Sequence, residues 1–588
     1  MISQQHTKTY NLVPHAFRDS RGITLIDTIV GTALMLIVFM GIAAAFQLTV
    51  DVVSNSKARA GAIALANERM EYLKSLSYSS VGVIGGIPAG IVPQLETVSL
   101  NNVSYTRRTL VYYSDDSADG LGAADTNGII ADYKTIRVEI TWMYKRTSRS
   151  IQVVGRMSPQ GVETAVPGGT LTINVVDAAA VPLQDVQIDI TNTSTTPTVS
   201  IRTYTNNLGS ISFIGAPASS GYQIVVSKTG YSSAQTYPVT AQNTNPNPRH
   251  LTVSNNLTTS YTFAIDLLAS KTIQTFKAIE ARTWTDLLSG SVYISTSTNT
   301  EVVGGGVRLA GAAPYSPSGF VLSTDITSAL IDAWTTLTWI DTTPTQTDIR
   351  YSLYTMVSGV PTLIPDSDLP GNAAGFTTSP VDLTGLSTST YTSIRVGATL
   401  TTADTGVTPN IDSWTLSYNY GPEVLPNVAV TMRGLKTIGN SPTIYKYNAT
   451  STSNGSGIIS LPSIEWDTYT VDVSATTGYE TAEVCAVQAE LLSPGTSQLT
   501  RLYVATNTPK SLVVDVREGD GTYIPDASVQ LLSSTTNKTI LTSSCGQVYF
   551  GGLNGGTYSL NISKAGFQNQ NASTTISSDV RTSVVLVP

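Results

Sequence analysis

The stretch SRGITLIDTIVGTALMLIVFMGIAAAFQ, residues 20–47, constrains this chain more than any other. From Thr28 to Val50 there is no charge, a run of about the 20 residues that cross a bilayer as a helix. Asp27 stands just inside the apolar segment. A carboxylate there costs about 2.5–3.5 kcal/mol on insertion scales and is kept where it finds a partner. The helical pattern does not stop at the far interface. VVSNSKARAGAIALANERMEYLKSL continues with Ile63, Ala66, Met70 and Leu73, and with Lys57, Arg59, Glu68, Arg69, Glu71 and Lys74 spaced between them. The predicted helix is therefore apolar all round at first and two-sided later. The segment ahead of it carries Lys8, Arg18 and Arg21 against Asp19. It lacks the apolar core and the A-x-A site of a Sec-type signal peptide. No basic residue follows until Lys57, which orients the leading segment toward the cytoplasm and the C-terminus outside.

A basic leader ending in glycine, followed by an apolar run with an acid at its fifth position, resembles the prepilin signature of type IV pilins and type II secretion pseudopilins. The resemblance implies cleavage after Gly22 by a prepilin peptidase and N-methylation of Ile23. It gives Asp27 the place of the family's usual glutamate, facing the α-amine of a neighbouring subunit. Ile23 replaces the commoner Phe or Met, and Asp27 is one methylene shorter than Glu. The helix ARAGAIALANERMEYLKSLSY resembles the minor-pilin branch. The partners implied are other pilin subunits, the peptidase and the membrane. The location implied is the cytoplasmic membrane before assembly, then a surface filament.

The length of 588 residues predicts about three to five domains. Charged residues are only 13% of the chain, and long helical patterns vanish after about residue 78, the profile of short strands joined by turns. A net charge of −8 argues against nucleic acid, which needs a basic face. The three histidines are His6, His15 and His250, leaving almost nothing for a Ser-His-Asp triad or a His-rich zinc site. There is no G-x-x-x-x-G-K-[ST] and no C-x-x-C. The paired carboxylates Asp115/Asp116 and Asp366/Asp368 lie in turn-rich polar stretches. No enzymatic activity and no required cofactor are expected.

Residues 81–165 read as a compact head with three alternating strands, SYTRRTLVYY, TIRVEITWMY and SIQVVGRM. Between the first two lies an acidic, glycine-rich loop with Asp115, Asp116, Asp119, Asp125, Asn127 and Asp132. Oxygen-only ligands on a loop suit Ca²⁺, and some pseudopilins bind calcium in the corresponding loop. The spacing is not that of an EF-hand, and a solvated acidic turn fits the same residues.

After PGG at 167–169 an internal repeat emerges. Three segments open with an alternating strand: VQIDI from Val186, VAVTM from Val428 and ASVQL from Ala527. Each continues with a turn glycine four residues before an apolar side chain: Gly209 and Phe213, Gly457 and Leu461, Gly546 and Phe550. Each ends in a tyrosine strand, GYQIVVSKTGY, DTYTVDVSATTGY or GTYSLNISKAGF, with a second glycine at Gly230, Gly478 or Gly566. The plan resembles carboxypeptidase-regulatory-like, Ig-like domains. The closing Tyr231, Tyr479 and Phe567 are expected in the cores.

The region 263–421 holds four of the six tryptophans, Trp284, Trp334, Trp339 and Trp414. It resembles jelly-roll sandwiches attached to secreted glycan-active proteins. Trp334 and Trp339 either fill the core or meet a sugar face. Cys485 and Cys545 are an even pair beyond the apolar span and read either as a disulfide between neighbouring modules or as two free thiols. In the chain-entropy model such a disulfide adds about 3–4 kcal/mol.

The expected fold is mainly β and multidomain, behind a long N-terminal helix. The divisions are leader 1–22, helix 23–80, head 81–165, Ig-like 166–262, jelly roll 263–421, Ig-like 422–506 and Ig-like 507–588. The expected function is that of a minor pilin or pseudopilin presenting a β-array for adhesion or as a spacer, with a surface glycan or protein receptor as further partner. Two alternatives stay open: an unprocessed single-pass surface anchor, and a glycan-binding adhesin using the tryptophan-rich sandwich.

Overall fold

The computed structural model describes residues 24–588 apart from 162, 328, 476 and 486–488. Gly22 and Ile23 lie outside the described residues. The fold is mainly β, with one long N-terminal helix followed by β-sandwich domains. The chain forms two compact units. One takes the chain up to Val175 with 182–226 and 250–263; the other takes 176–181, 227–249 and everything from Ala264.

In the first unit a helix of 51 residues runs Leu25–Ser75, about 75 Å at 1.5 Å per residue. It has two environments. Residues 24–50 are exposed on every side, with Leu25, Phe39 and Phe46 all more than 60% accessible. From Ala58 onward the buried residues are Ala58, Gly61, Ala62, Leu65, Ala66, Arg69, Met70 and Leu73, one stripe at helical spacing. That stripe packs on an antiparallel meander of four strands, Leu95–Leu100, Val103–Ser114, Tyr133–Tyr144 and Thr147–Met157. The first strand adds to the three expected from sequence. Small residues let helix and sheet approach: a Cβ on Gly61 would lie 2.7 Å from the Tyr105 hydroxyl, which donates to the Ala58 carbonyl at 2.9 Å. Lys134 is buried beneath the helix end and donates to the Tyr78 and Val81 carbonyls, each at 2.7 Å. Burial pushes its ammonium down to about 8.

The same unit contains the first Ig-like sandwich. One sheet sets Gly169–Val176 between Thr258–Ala264 and Ser210–Ala216, and the other contains Gln187–Asn192, Val199–Tyr204 and Ser219–Ser227. The head and this sandwich meet through Ser200 N–H donating to the Gly85 carbonyl at 2.8 Å. The Gln94 side chain also donates to the Arg202 carbonyl (3.0 Å) and accepts from its N–H (3.1 Å).

In the second unit the tryptophan-rich sandwich consists of two six-stranded sheets. Trp334 and Trp414 are fully buried at its centre, with Trp284 and Trp339 packed against that core. The second Ig-like domain corrects a boundary. Strand Ala269–Lys277 pairs in parallel with the domain's last strand, Ser497–Thr506, and antiparallel with Ile458–Ile464 and Glu423–Val424. It is the first strand of the Ig-like domain, not of the jelly roll, which is inserted between Lys277 and Glu423. Sequence pattern missed this because the parallel partner lies more than 200 residues further along the chain. The third domain repeats the plan: Leu512–Arg517 runs parallel to Val580–Val585.

The three repeats share two devices. Gly209, Gly457 and Gly546 adopt φ of 67°, 71° and 65°, the left-handed region that suits glycine. Each donates its N–H to the carbonyl three residues earlier. Tyr222, Tyr469 and Tyr558 are buried and turn their hydroxyls back to the carbonyls of Pro217, Glu465 and Asn554 at 2.7, 2.8 and 3.0 Å. This resembles the tyrosine corner of Ig-like sandwiches. The deeply buried aromatics are these, whereas Tyr231, Tyr479 and Phe567 are half-buried.

Candidate functional site

The acidic loop joins Val103–Ser114 to Tyr133–Tyr144. Its carboxylates divide their oxygens between two tasks. Asp115 accepts from the Gly122 N–H at 2.7 Å through Oδ2. Asp125 accepts from the Asn127 and Gly128 N–H groups at 2.9 and 2.8 Å through Oδ1. Asp119 Oδ2 accepts from Asn127 Nδ2 at 3.2 Å, and Asp132 Oδ2 accepts from the Asp116 N–H. These bonds shape the loop as side-chain-capped turns. The other oxygens, Asp115 Oδ1, Asp119 Oδ1, Asp125 Oδ2 and Asp132 Oδ1, are buried without a hydrogen-bond partner.

These carboxylates converge. Oxygens of Asp115, Asp125 and Asp132 lie within 4.8 Å of one another, as do those of Asp119, Asp132 and Glu163. Asp132 is 4% exposed, and its carboxyl is raised above the usual carboxylate range, first by burial and then by Asp119, Glu163 and Asp115, against the Asp116 N–H bond. Two unit charges within 4.8 Å repel by about 3.5 kcal/mol or more at an effective dielectric of about 20. Buried, unpartnered and mutually repelling oxygens are donors of the kind that could hold a hard cation.

The structure sorts the six loop residues. Asp115, Asp119, Asp125 and Asp132 each bring a free oxygen to the cluster. Asp116 brings its N–H, while its carboxylate Oδ1 accepts from the Ala118 N–H at 3.2 Å. Asn127 bridges: its Nδ2 donates to Asp119 and to Glu163 Oε2 at 3.2 and 3.0 Å, while its Oδ1 accepts from the Ile129 N–H at 2.7 Å. Glu163 is the member sequence reasoning missed. It lies past the last head strand, and no local spacing links it to the loop.

At the other end of the unit, Asp27 occupies the third position of the helix. Its N–H donates to Thr24 Oγ1 (3.2 Å), and its Oδ2 accepts from the Thr24 N–H (3.2 Å) and hydroxyl (2.7 Å). This reciprocal capping box satisfies helix-end donors within the chain. The carboxylate therefore has a local partner, in addition to any from another chain.

In the second unit Cys485 and Cys545 form a disulfide between the last two Ig-like domains. The junction is dense: the Gln547 side chain exchanges two hydrogen bonds with the Val484 backbone, at 2.9 and 3.1 Å. Glu480 accepts from Ser511 and Tyr549, both at 2.6 Å. Trp334 cannot present a face to a sugar. It is fully buried, and its indole N–H donates to the Tyr391 carbonyl at 2.9 Å. Trp339 is half-buried and stacks on Tyr351 with ring centroids 4.0 Å apart.

The fold and these sites together define a chain with an apolar N-terminal helix followed by β-sandwich domains. No protein-family model and no curated protein sequence matches it. Among solved structures it is similar to the TIE protein of Bacillus anthracis, with 9% identity, 84% of this chain and 72% of that chain covered, and a TM-score of 0.15. It is also similar to BcpA, the major pilin subunit of Bacillus cereus (8%, 71% and 99%, TM-score 0.12), and to the RrgB pilus protein of Streptococcus pneumoniae (10%, 72% and 98%, TM-score 0.12). Likeness this slight says nothing of what the chain does.

Proposed function

We propose that the chain is a minor subunit of a type IV pilus-like filament, held in the membrane by its apolar helix before assembly and presenting a β-sandwich array outside. The observation that carries the reading is the single helix with two surroundings. Its second half is sealed against the head sheet, while residues 24–50 offer bare apolar surface on every side, which only lipid or other apolar helices can cover. Processing after Gly22, methylation of Ile23 and a charge partner for Asp27 belong to this reading, as do a prepilin peptidase and neighbouring pilin subunits as partners. The array acts by association, as adhesin or spacer, and the reading assigns it no catalysis. The acidic cluster of the head is assigned to Ca²⁺, held by Asp115, Asp119, Asp125, Asp132 and Glu163. Six to eight oxygens at flexible geometry suit Ca²⁺ better than the strict octahedron of Mg²⁺.

N-terminal mass spectrometry of purified surface filaments tests the core of the reading. A mature start at methylated Ile23 supports it; an intact leader refutes it. A second reading, an unprocessed surface anchor, is favoured by the capping box, which gives Asp27 a task without any partner chain. Asp27→Asn separates the two, since the amide keeps an acceptor for the cap and loses the charge. Insertion is expected to persist under either reading. Impaired assembly supports the filament subunit, whereas unchanged assembly leaves Asp27 as a cap alone.

A further inference from the structure

Glu163 lies in the connection between the last head strand, ending at Met157, and the first strand of the Ig-like sandwich, beginning at Gly169. It is the one member of the acidic cluster that does not belong to the loop. The connection is thus fastened to the loop wherever Glu163 is held. There it accepts a hydrogen bond from Asn127 Nδ2 through Oε2, at 3.0 Å, an exposed contact that water can replace. Against it stand the like charges of Asp119 and Asp132, whose oxygens lie within 4.8 Å of those of Glu163. Asp132 Oδ1 is aimed into the same place, buried and without a partner.

We propose that a divalent cation in the head acts as a clasp on the connection between head and arm, with Glu163 as the movable ligand. This rests on the assignment of Ca²⁺ to the acidic cluster and adds what its binding regulates. With the cation present, the repulsion becomes shared coordination, and the segment 158–168 is pinned to the loop. Without it, Glu163 leaves the cluster and the segment is released. The contacts of Gly85 and Gln94 with Ser200 and Arg202 involve no carboxylate of the cluster and persist in both states. The cation therefore sets how tightly the joint is held and leaves the docking of the sandwich in place.

The test is hydrogen–deuterium exchange of the full chain in detergent, with millimolar CaCl₂ or with a chelator, alongside calorimetric titration with CaCl₂. In the wild type, Ca²⁺ is expected to slow exchange of peptides covering 158–168 by about tenfold or more. Glu163→Gln is expected to bind Ca²⁺ more weakly and to lose that slowing, while peptides of the loop 115–132 keep theirs. Asp132→Asn is expected to lose both. Ca²⁺ binding that leaves 158–168 unchanged in the wild type overturns the clasp and spares the metal site. Full slowing in Glu163→Gln does the same. Absence of binding heat in the wild type overturns the metal site and the clasp with it.

Discussion

Lys271 offers a demanding test of the second Ig-like domain. Its side chain is fully buried; its ammonium donates to Glu490 Oε2 at 2.5 Å and to Gln498 Oε1 at 2.9 Å, and Glu490 also accepts from the Thr500 hydroxyl at 2.8 Å. Burial lowers the ammonium from its ordinary value, opposed by the bond to Glu490 and its charge. Glu490→Ala removes the counter-charge and leaves a buried ammonium with one neutral acceptor. Breaking such a pair from one side costs about 3–5 kcal/mol. Through the factor of ten per 1.4 kcal/mol, exchange of the strand Ala269–Lys277 is expected to accelerate by about 100-fold or more. Replacing both partners with apolar residues, Lys271→Met with Glu490→Leu, is expected to return most of that protection, because the desolvation cost disappears with the pair. Hydrogen exchange of the full chain reads both variants on one set of peptides, without requiring two-state melting of a multidomain protein. An acceleration below about tenfold in Glu490→Ala would refute the reasoning, since water would then be solvating Lys271 in place of Glu490.

Lys134 is held near 8 in the fold against about 10.4 in an unfolded chain. Between those values the unfolded state binds more protons, so the stability of the wild type relative to Lys134→Met rises with pH; denaturant titrations at pH 7.5 and 10 check the sign. Tyr222→Phe, Tyr469→Phe and Tyr558→Phe each strand a carbonyl, and each is expected to cost about 1 kcal/mol in local exchange of its own domain. Gly457→Ala would place a Cβ 2.8 Å from the Thr275 carbonyl at positive φ. It is expected to loosen the turn by more than the 1 kcal/mol or so that glycine's flexibility ordinarily costs. Reduction of Cys485–Cys545 is expected to increase exchange on both sides of the junction, around Val484 and Gln547, before it affects the jelly roll.

What was legible in the sequence had a local period. The change from an all-apolar helix to a two-sided one follows residue by residue from Thr28 to Leu73, and the repeated glycines and tyrosines gave the Ig-like plan. The five loop aspartates and Asn127 stood out because the chain places them within a few turns of each other. What stayed hidden depends on closure in space. Glu163 reaches the cluster across a whole strand pair, and Ala269–Lys277 finds its parallel partner only after an entire sandwich has intervened. Trp334 and Trp339 share one strand, Ile331–Thr342. Five residues apart, they would face opposite sides of a regular strand; the register shift after Trp334 sets them opposite Tyr418 and Trp414, so both meet the core, a local irregularity that composition does not mark.

The parallel pairing of first and last strands has a mechanical consequence. Ala269–Lys277 enters the second Ig-like domain, and Ser497–Thr506 leaves it, side by side over eight paired residues. Leu512–Arg517 and Val580–Val585 do the same in the third. Tension applied between entry and exit of such a domain loads the hydrogen bonds of the ladder together in shear, instead of opening them one after another. The jelly roll leaves and rejoins the chain at adjoining residues, Lys277 and Glu423, which pair with each other. It hangs beside the line of tension as an unloaded branch, free to keep its shape while the Ig-like domains carry the strain.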